Sequence, residues 1–479
     1  MWTEDEAFKK YTAERVLNWD KAASAGREKR WPRYYRNQLA RTYRFCIPEG
    51  ASVLELGCGR GDLIASLKPS AGVGVDFSPE MIKEARKRHP NLKFICCDAH
   101  SIDIEGKFDF IIMSDLLNDA WDVQQVLTAI RPLCHNETRL IFNFFSHLWR
   151  GPLNFVRRLG LANPTLQQNW LTREDMTNLL YLSGYEVFRS WPEFLTPFNI
   201  PLLSGFSNKC LAKIWPFKSF DLANFMIARP LQSVRQKWKD SSPTVSVLVA
   251  ARNEAGNIGA ILDRVPEMGG GTEIIFVEGN STDNTYDVIE NAIKHTSRNC
   301  VLYKQAGKGK GDAVRTGFAK AKGDILMILD ADITVPPEDL PKFYDVIYSG
   351  QAEFVNGVRL VYPMEKRAMR FFNLLGNKFF SGAFSWLLGQ TLRDSLCGTK
   401  VLTRLNYERI VQNRSYFGDF DPFGDFDLLF GAAKLNLRIV DMPVRYRDRV
   451  YGETNIQRWR HGWMLLKMVA CAAFKIKFV

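Results

Sequence analysis

Residues 323–335, GDILMILDADITV, decide how the C-terminal half of the chain reads. Residues 325–329 are apolar and uncharged, and Gly323-Asp324 precede them, which predicts a short buried parallel strand. The run ends in Asp330-Ala331-Asp332. Two carboxylates one residue apart repel each other unless a cation lies between them. A hard divalent ion, Mg²⁺ or Mn²⁺, would neutralise the pair, and its open positions suit diphosphate oxygens. Ligands of open α/β sheets sit at the carboxyl ends of strands, where this pair falls. Asp330 and Asp332 are therefore the candidate metal ligands, with a solvated loop as the bland alternative.

The flanking segments repeat the pattern. TVSVLVAARNE (244–254) is an apolar strand leading to Glu254, and TEIIFVEGNSTDNT (272–285) is another ending at Glu278. AGKGKGDAVRTGFAKA (306–321) carries Lys308 and Lys310 in a Gly-Lys loop before a helix. Each acid alone suits a helix cap. Acids at three successive strand ends, with lysines beside them, suit a base, a ribose, a diphosphate and a metal together.

This order resembles family-2 glycosyltransferases of GT-A type, and within them the polyprenyl-phosphate (dolichyl-phosphate) sugar transferases, over about residues 244–455. The resemblance implies that Ala251, Arg252, Glu254 and Glu278 contact the base and ribose of a GDP- or UDP-linked sugar. It implies that Lys310, Asp330, Ala331 and Asp332 take the diphosphate and its metal. Arg359 in EFVNGVRL would approach the acceptor phosphate, and DSLCGTKVLTR would close the acceptor site through Asp394 and Lys400. DFDPFGDFDLLFGAAK matches an acidic segment, and RYRDRVYGETNI a segment closing over the diphosphate through Arg449. Two positions depart from the family: Glu278-Gly279 stand where relatives carry two acids, and Thr454-Asn455 where they carry Ser-Lys. A phosphate acceptor is already ionised at neutral pH and needs cationic steering, which Arg359 and Lys400 offer. A sugar hydroxyl of a surface glycan would instead need a carboxylate base, for which Asp425 is the candidate. Asp332, Arg359 and Asp425 are thus the catalytic candidates for an inverting single displacement.

The first half is built similarly. SVLELGCGRGDLIASL (52–67) is a strand, a glycine-rich turn and a helix; GVGVDFSPEMIKEARKR (72–88) a strand ending in Asp76 and an N-capped helix; NLKFICCDAHSI (91–102) a strand ending in Asp98; KFDFIIMSDLLND (107–119) a strand ending near Ser114-Asp115. Glycines let backbone approach a ligand and the following helix N-terminus offers free N–H groups. An acid ending the second strand can accept from both ribose hydroxyls. The progression resembles class I S-adenosylmethionine-dependent methyltransferases over about residues 30–230. That implies Gly57, Gly59 and Gly61 along the methionine moiety with Ser114, Asp76 on the ribose, and Asp98 with Ala99 on the adenine. A dinucleotide fold is the runner-up. Tyr34, His100, Asn118 and His147 are the proton-acceptor candidates, each also readable as structural. Residues 4–45 read as helical, with Trp31, Tyr34, Tyr35, Leu39 and Tyr43 near one face, as core packing or as a lid.

The totals agree with such a chain. It has 479 residues, 46% of them hydrophobic, and a net charge of +12, which favours anionic partners. Nine scattered cysteines without a CxxC pair suit a reducing cytosol. RFFNLLGNKFFSGAFSWLLG (370–389) and RWRHGWMLLKMVACAAFKIKFV (458–479) read as helices lying in an anionic membrane interface, or as ordinary packing. Acids at successive strand ends argue against nucleic acid as a partner. The expectation is an α/β protein of two doubly wound domains. A Rossmann-like methyltransferase (1–232), a linker (233–243), a GT-A glycosyltransferase (244–458) with interfacial helices, and a basic, apolar tail (459–479) would sit peripherally on the cytoplasmic face of the cell membrane.

Overall fold

The computed structural model describes residues 4–24, 30–158, 166–231, 238, 242–361, 371–416, 424–449, 451 and 458–478; side chains of residues 4–5, 30–32, 156–158, 371–375, 425 and 458–461 lie outside that description. The chain divides into two compact units, Met1–Leu231 with Phe478–Val479, and Gln232–Lys477. Each is built on one seven-stranded sheet.

In the first unit the strands are β1 (Ser52–Leu56), β2 (Ala71–Asp76), β3 (Lys93–Cys96), β4 (Phe108–Ser114), β5 (Cys134–Phe145), β6 (Tyr185–Glu193) and β7 (Ala223–Pro230). Their order is β3-β2-β1-β4-β5-β7-β6; β1 to β5 are parallel and β7 runs antiparallel to both its neighbours. Alternate residues feed two cores. Leu54, Leu56, Phe142 and Phe144 pack with the helices Val123–Ala129 and Arg173–Leu182, while Val53, Ile141 and Phe225 pack with Arg30–Cys46 and Pro79–Arg88. A sheet covered on both faces needs strands apolar on both faces, which explains runs such as FDFIIM. The expected N-terminal helical region is two helices, Glu4–Ser24 and Arg30–Cys46.

In the second unit the strands are β8 (Val245–Ala251), β9 (Thr272–Glu278), β10 (Cys300–Lys304), β11 (Ile325–Asp330), β12 (Phe354–Val358), β13 (Lys400–Thr403) and β14 (Ile439–Pro443), ordered β10-β9-β8-β11-β13-β12-β14. Ile325 to Leu329 are fully buried, as their unbroken apolar run demands. The strand is parallel to β8 but antiparallel to β13, so the parallel reading holds on one edge only. Crossovers through the helices Ile258–Arg264, Thr285–His295 and Lys310–Lys320 leave the ends of β8, β9 and β11 side by side. The segment at 370–389 is the helix Phe371–Leu388, and the tail is the helix Arg458–Ala472 continued by a wider turn at Ala473–Lys477. Among the described residues no helix is long and apolar enough to cross a membrane.

Candidate active sites

At the end of β1, Gly57, Gly59 and Gly61 all adopt the left-handed backbone, φ 71°, 51° and 75°. Side chains resist that conformation, so the GCGRG turn needs glycine for its shape. A Cβ on Gly57 would press on Leu116 at 3.0 Å, one on Gly61 would strike Phe94 at 2.5 Å, and one on Gly59 would meet only open space. The turn is fixed from below by Asp76, whose carboxylate accepts from the amides of Gly59 and Ser78, both at 2.9 Å. Burial raises the Asp76 pKa, and those two amides hold it back. Asp98 caps the short turn that begins at Ala99, accepting from the His100 amide at 2.9 Å and its Nδ1 at 2.6 Å. His100 also accepts from the Asp122 amide through Nε2, so both ring nitrogens are engaged in structure. Asn118 is likewise spent: it donates to the Asp115 carbonyl and accepts from the Phe145 amide. Tyr34 binds Asn208, and His147 is exposed.

The residue the sequence reading passed over is Asp115, directly after Ser114. Its backbone is left-handed (φ 57°), and Leu116 next to it lies on Gly57. Its Oδ1 accepts from Tyr35 Oη at 3.1 Å and Asn143 Nδ2 at 2.5 Å, while Oδ2 has no hydrogen bond among the described residues. Burial pushes the carboxyl up to about 7, against the pull of the Tyr35 and Asn143 donors. Tyr35 contacts Phe145 and Phe194, and Phe145 contacts Trp170, so the carboxyl stands beside an aromatic wall. The helix Glu4–Ser24 lies over the same strand ends. Asp20 accepts from Ser78 Oγ at 2.5 Å, Arg60 donates to the carbonyls of Ala22 and Ala23, and Tyr11 stacks edge-on with Trp121. Of the two readings of the N-terminus, core packing describes the second helix, whose Leu39 and Tyr43 are buried with Tyr35 packed beside them. The residues present fit an S-adenosyl cofactor: an open cradle at Gly59, and Asp76 and Asp98 at adjacent strand ends.

In the second unit the loops after β8 and β9 are tied together. Asn253 (φ 57°) donates its amide to Ser281 Oγ at 3.1 Å and accepts from the Thr282 amide at 2.8 Å, and the Glu254 amide donates to Thr285 Oγ1 at 3.0 Å. Glu278 is buried and accepts from the Ser281 amide at 2.5 Å. Ala251 and Ala331 are buried beside these loops, and Arg252 is exposed. Lys310, at the start of its helix, pairs with Asp330 Oδ1 at 2.6 Å. Arg449 bridges two strand ends, with Nη1 on Glu254 at 3.1 Å and Nη2 on Asp332 at 2.6 Å. Thr334 donates to the other oxygen of Asp332 at 2.8 Å.

The two acids after β11 are therefore each neutralised by a side chain, Asp330 by Lys310 and Asp332 by Arg449. The two carboxylates, expected to need a metal between them, thus stand one residue apart on side-chain cations alone. Burial alone would raise the Asp330 pKa; the Lys310 ammonium, with Arg359 and Lys400 nearby, outweighs it and lowers the value. Burial likewise raises the Glu254 pKa, opposed by Arg449. No group of three or more His, Cys, Asp or Glu capable of holding a metal occurs among the described residues. The donor set nevertheless fits a hard cation that keeps other ligands for its substrate. Among the described residues Asp330 Oδ2 has no hydrogen bond, and a Cβ on Gly398 would sit 2.1 Å from it, so the position across from it must be glycine.

Three more of the expected residues are held by partners within the chain. Arg359 is clamped by Asp394, Nε to Oδ2 at 2.7 Å and Nη2 to Oδ1 at 2.9 Å, with Asn377 also donating to Asp394 at 2.8 Å. The guanidinium holds the Asp394 carboxyl down at about 2 despite full burial. Lys400 is fully buried and donates to the Cys397 carbonyl, and its charge helps to lower the Asp330 pKa. The Asp425 side chain, and Thr454-Asn455, lie outside the described residues.

Comparison with known proteins follows this division. Residues 246–408 match the model of "Glycosyl transferase family 2", and residues 53–136 match a "Methyltransferase domain". The glycosyltransferase AglJ of Haloferax volcanii is 28% identical over 223 residues, covering 46% of this chain and 69% of AglJ. The dolichyl-phosphate hexose transferase of the same organism is 29% identical over 230 residues, covering 47% of this chain and 92% of that enzyme. Other curated relatives are spanned over as little as 40% of their length. The putative methyltransferase in complex with the Haloferax volcanii Trm112 activator is similar at 15% identity and a TM-score of 0.35, covering 45% of this chain and 98% of that one. The chain is an enzyme that joins a methyltransferase domain to a family-2 glycosyltransferase domain.

Proposed function

We propose that the second unit transfers a sugar from a nucleoside diphosphate donor to a polyprenyl phosphate, with inversion, and that the first unit methylates an acceptor at the expense of S-adenosylmethionine. The observation that carries the sugar-transfer reading is the Lys310–Asp330 and Glu254–Arg449–Asp332 constellation across three strand ends. The likeness to a dolichyl-phosphate hexose transferase supports the phosphate acceptor.

Glu278 and Glu254 bind base and ribose. Asp330 and Asp332 hold the divalent ion, which when bound neutralises the departing diphosphate. Lys310 and Arg449, which pair with those carboxylates, would add positive charge beside the diphosphate. Arg359, held rigid by Asp394 and lying 5.0 Å over the Tyr446 ring, offers its remaining nitrogen edge to the acceptor phosphate. An ionised phosphate oxygen attacks unaided, so no protein base is required at this step.

In the first unit, S-adenosylmethionine when bound supplies an electrophilic methyl group. Gly57, Gly59 and Gly61 seat it, and Asp76 and Asp98 orient its ribose and adenine. Asp115 Oδ2 receives the proton of the attacking hydroxyl or amine, and the aromatic wall keeps water away. The test of the sugar-transfer reading is a panel of radiolabelled nucleotide sugars with Mn²⁺ and lipid extract. Label in the organic phase is expected; label only in water-soluble glycan would move the acceptor to a hydroxyl.

A further inference from the structure

The segment between β6 and β7 carries its apolar side chains outward. In the helix Leu203–Lys209, Ser204, Ser207 and Asn208 point in and are buried, while Leu203 and Phe206 point out. The inward side is polar and fully bonded: Ser204 Oγ donates to the Phe198 carbonyl at 2.5 Å, Asn208 exchanges bonds with the Thr196 backbone at 2.8 Å, and Ser207 meets Thr196 at 2.7 Å. A helix packed for water buries its apolar stripe; this one is inverted. Leu202 just before it is 94% exposed and held at φ 62°, a conformation that a leucine resists. Trp215 is 75% and Phe206 58% exposed, with Ile200 and Phe220 beside them.

Charge identifies the partner. Residues 194–220 contain three lysines and no acid. Lys213 is spent on buried Glu193, but Lys209 and Lys218, with exposed Arg150 nearby, pair with no carboxylate among the described residues. Trp149 Nε1 donates to the Phe220 carbonyl at 2.8 Å, which fastens the Arg150 end of the following helix to the same surface. Aromatic and aliphatic side chains rimmed by unpaired cations fit the interface of an anionic bilayer better than a protein face, which would bring carboxylates or apolar area alone.

We propose that residues 198–220 of the methyltransferase unit are a docking surface for an anionic membrane. The surface adjoins the methyl-transfer site: Asn208 donates to Tyr34 at 3.3 Å, and Phe194 packs on Tyr35, which binds Asp115. That the methyl acceptor is itself membrane-borne rests on the methyl-transfer reading above; the docking does not.

Hydrogen exchange on the full chain, with and without vesicles of phosphatidylglycerol and phosphatidylcholine, tests the docking. Protection of 198–220 by the anionic vesicles, lost with phosphatidylcholine alone, is expected. In a background of Trp463→Ser and Phe474→Ser, adding Leu202→Ser, Phe206→Ser and Trp215→Ser should cut vesicle partitioning at least tenfold with thermal stability unchanged. Exchange at 198–220 that ignores vesicles would overturn the proposal, as would protection that depends on protein concentration alone, which would mark a second copy of the chain as the occupant. Radiolabelled methyl appearing in water-soluble product only, with docking intact, would overturn the membrane-borne acceptor and leave the surface standing.

Discussion

Asp332 shows how a residue can be read correctly for position and incompletely for partner. Its place at a strand end follows from the apolar run before it. Its pairing with Arg449, 117 residues away, does not follow from any local pattern, and the family resemblance assigned Arg449 to the diphosphate rather than to this carboxylate. Asp332→Asn should reduce sugar transfer by at least a thousandfold, on the scale of losing a main electrostatic contact to the leaving group. Binding of S-adenosylmethionine, followed by fluorescence titration, should be unchanged. Asp115 was missed for a different reason: a single acid after a strand looks like any turn residue until Tyr35 and Asn143 converge on it. With its carboxyl raised to about 7 by burial, beside Tyr35, Tyr43, Asp119 and Arg36, the basic form accumulates as pH rises. Methyl transfer should therefore climb through pH 7 and level off above it, and Asp115→Asn should remove that limb while cofactor affinity holds. Asp221 tests burial without chemistry. Both its carboxylate oxygens are buried without a hydrogen bond among the described residues, and burial with Glu193 nearby pushes it up to about 8 despite Lys213. A folded pKa above the unfolded one of about 4 means the charged form is disfavoured in the folded state, so stability falls as pH rises from about 4 to about 8. Asp221→Asn should flatten that fall and stabilise the protein by about 2 kcal/mol at pH 8 in thermal melts, allowing for local relaxation.

Elements were legible where period and length agree. β11 is an unbroken apolar run up to Asp330 and β8 one broken only by Ser246, and the GCGRG turn declares itself by three glycines that all take the left-handed backbone. The helices Phe371–Leu388 and Arg458–Ala472 were expected as interfacial, with packing as the alternative, and the tail has a packed face and an exposed one. Leu465, Met468 and Ala472 are buried, whereas Trp463, Leu466 and Phe474 are exposed beside Lys467 and Lys475. Deleting the tail would therefore strip a packed face as well as the exposed side chains. Trp463→Ser with Phe474→Ser is the cleaner probe: vesicle binding should weaken while the melting temperature stays within about 1 °C, since neither side chain is buried. The inverted helix at Leu203–Lys209 escaped the sequence because one leucine and one phenylalanine in seven residues set no period; only the inward serines and Asn208 reveal its polarity.

At the scale of the whole molecule, two sheets of seven strands each carry their acids to the carboxyl ends of the strands, one set suited to an adenosyl group and one to a nucleoside diphosphate. The chemistry of each set is self-contained within its unit, so Asp76→Asn should impair methylation and Asp332→Asn sugar transfer, each sparing the other activity. The most direct measurement is calorimetric titration of GDP and UDP into the full chain with and without Mn²⁺, repeated on Asp332→Asn. Binding of one nucleoside diphosphate that requires Mn²⁺ and disappears in the variant is the predicted result; no binding of either nucleotide, or binding indifferent to both the ion and Asp332, would contradict the account.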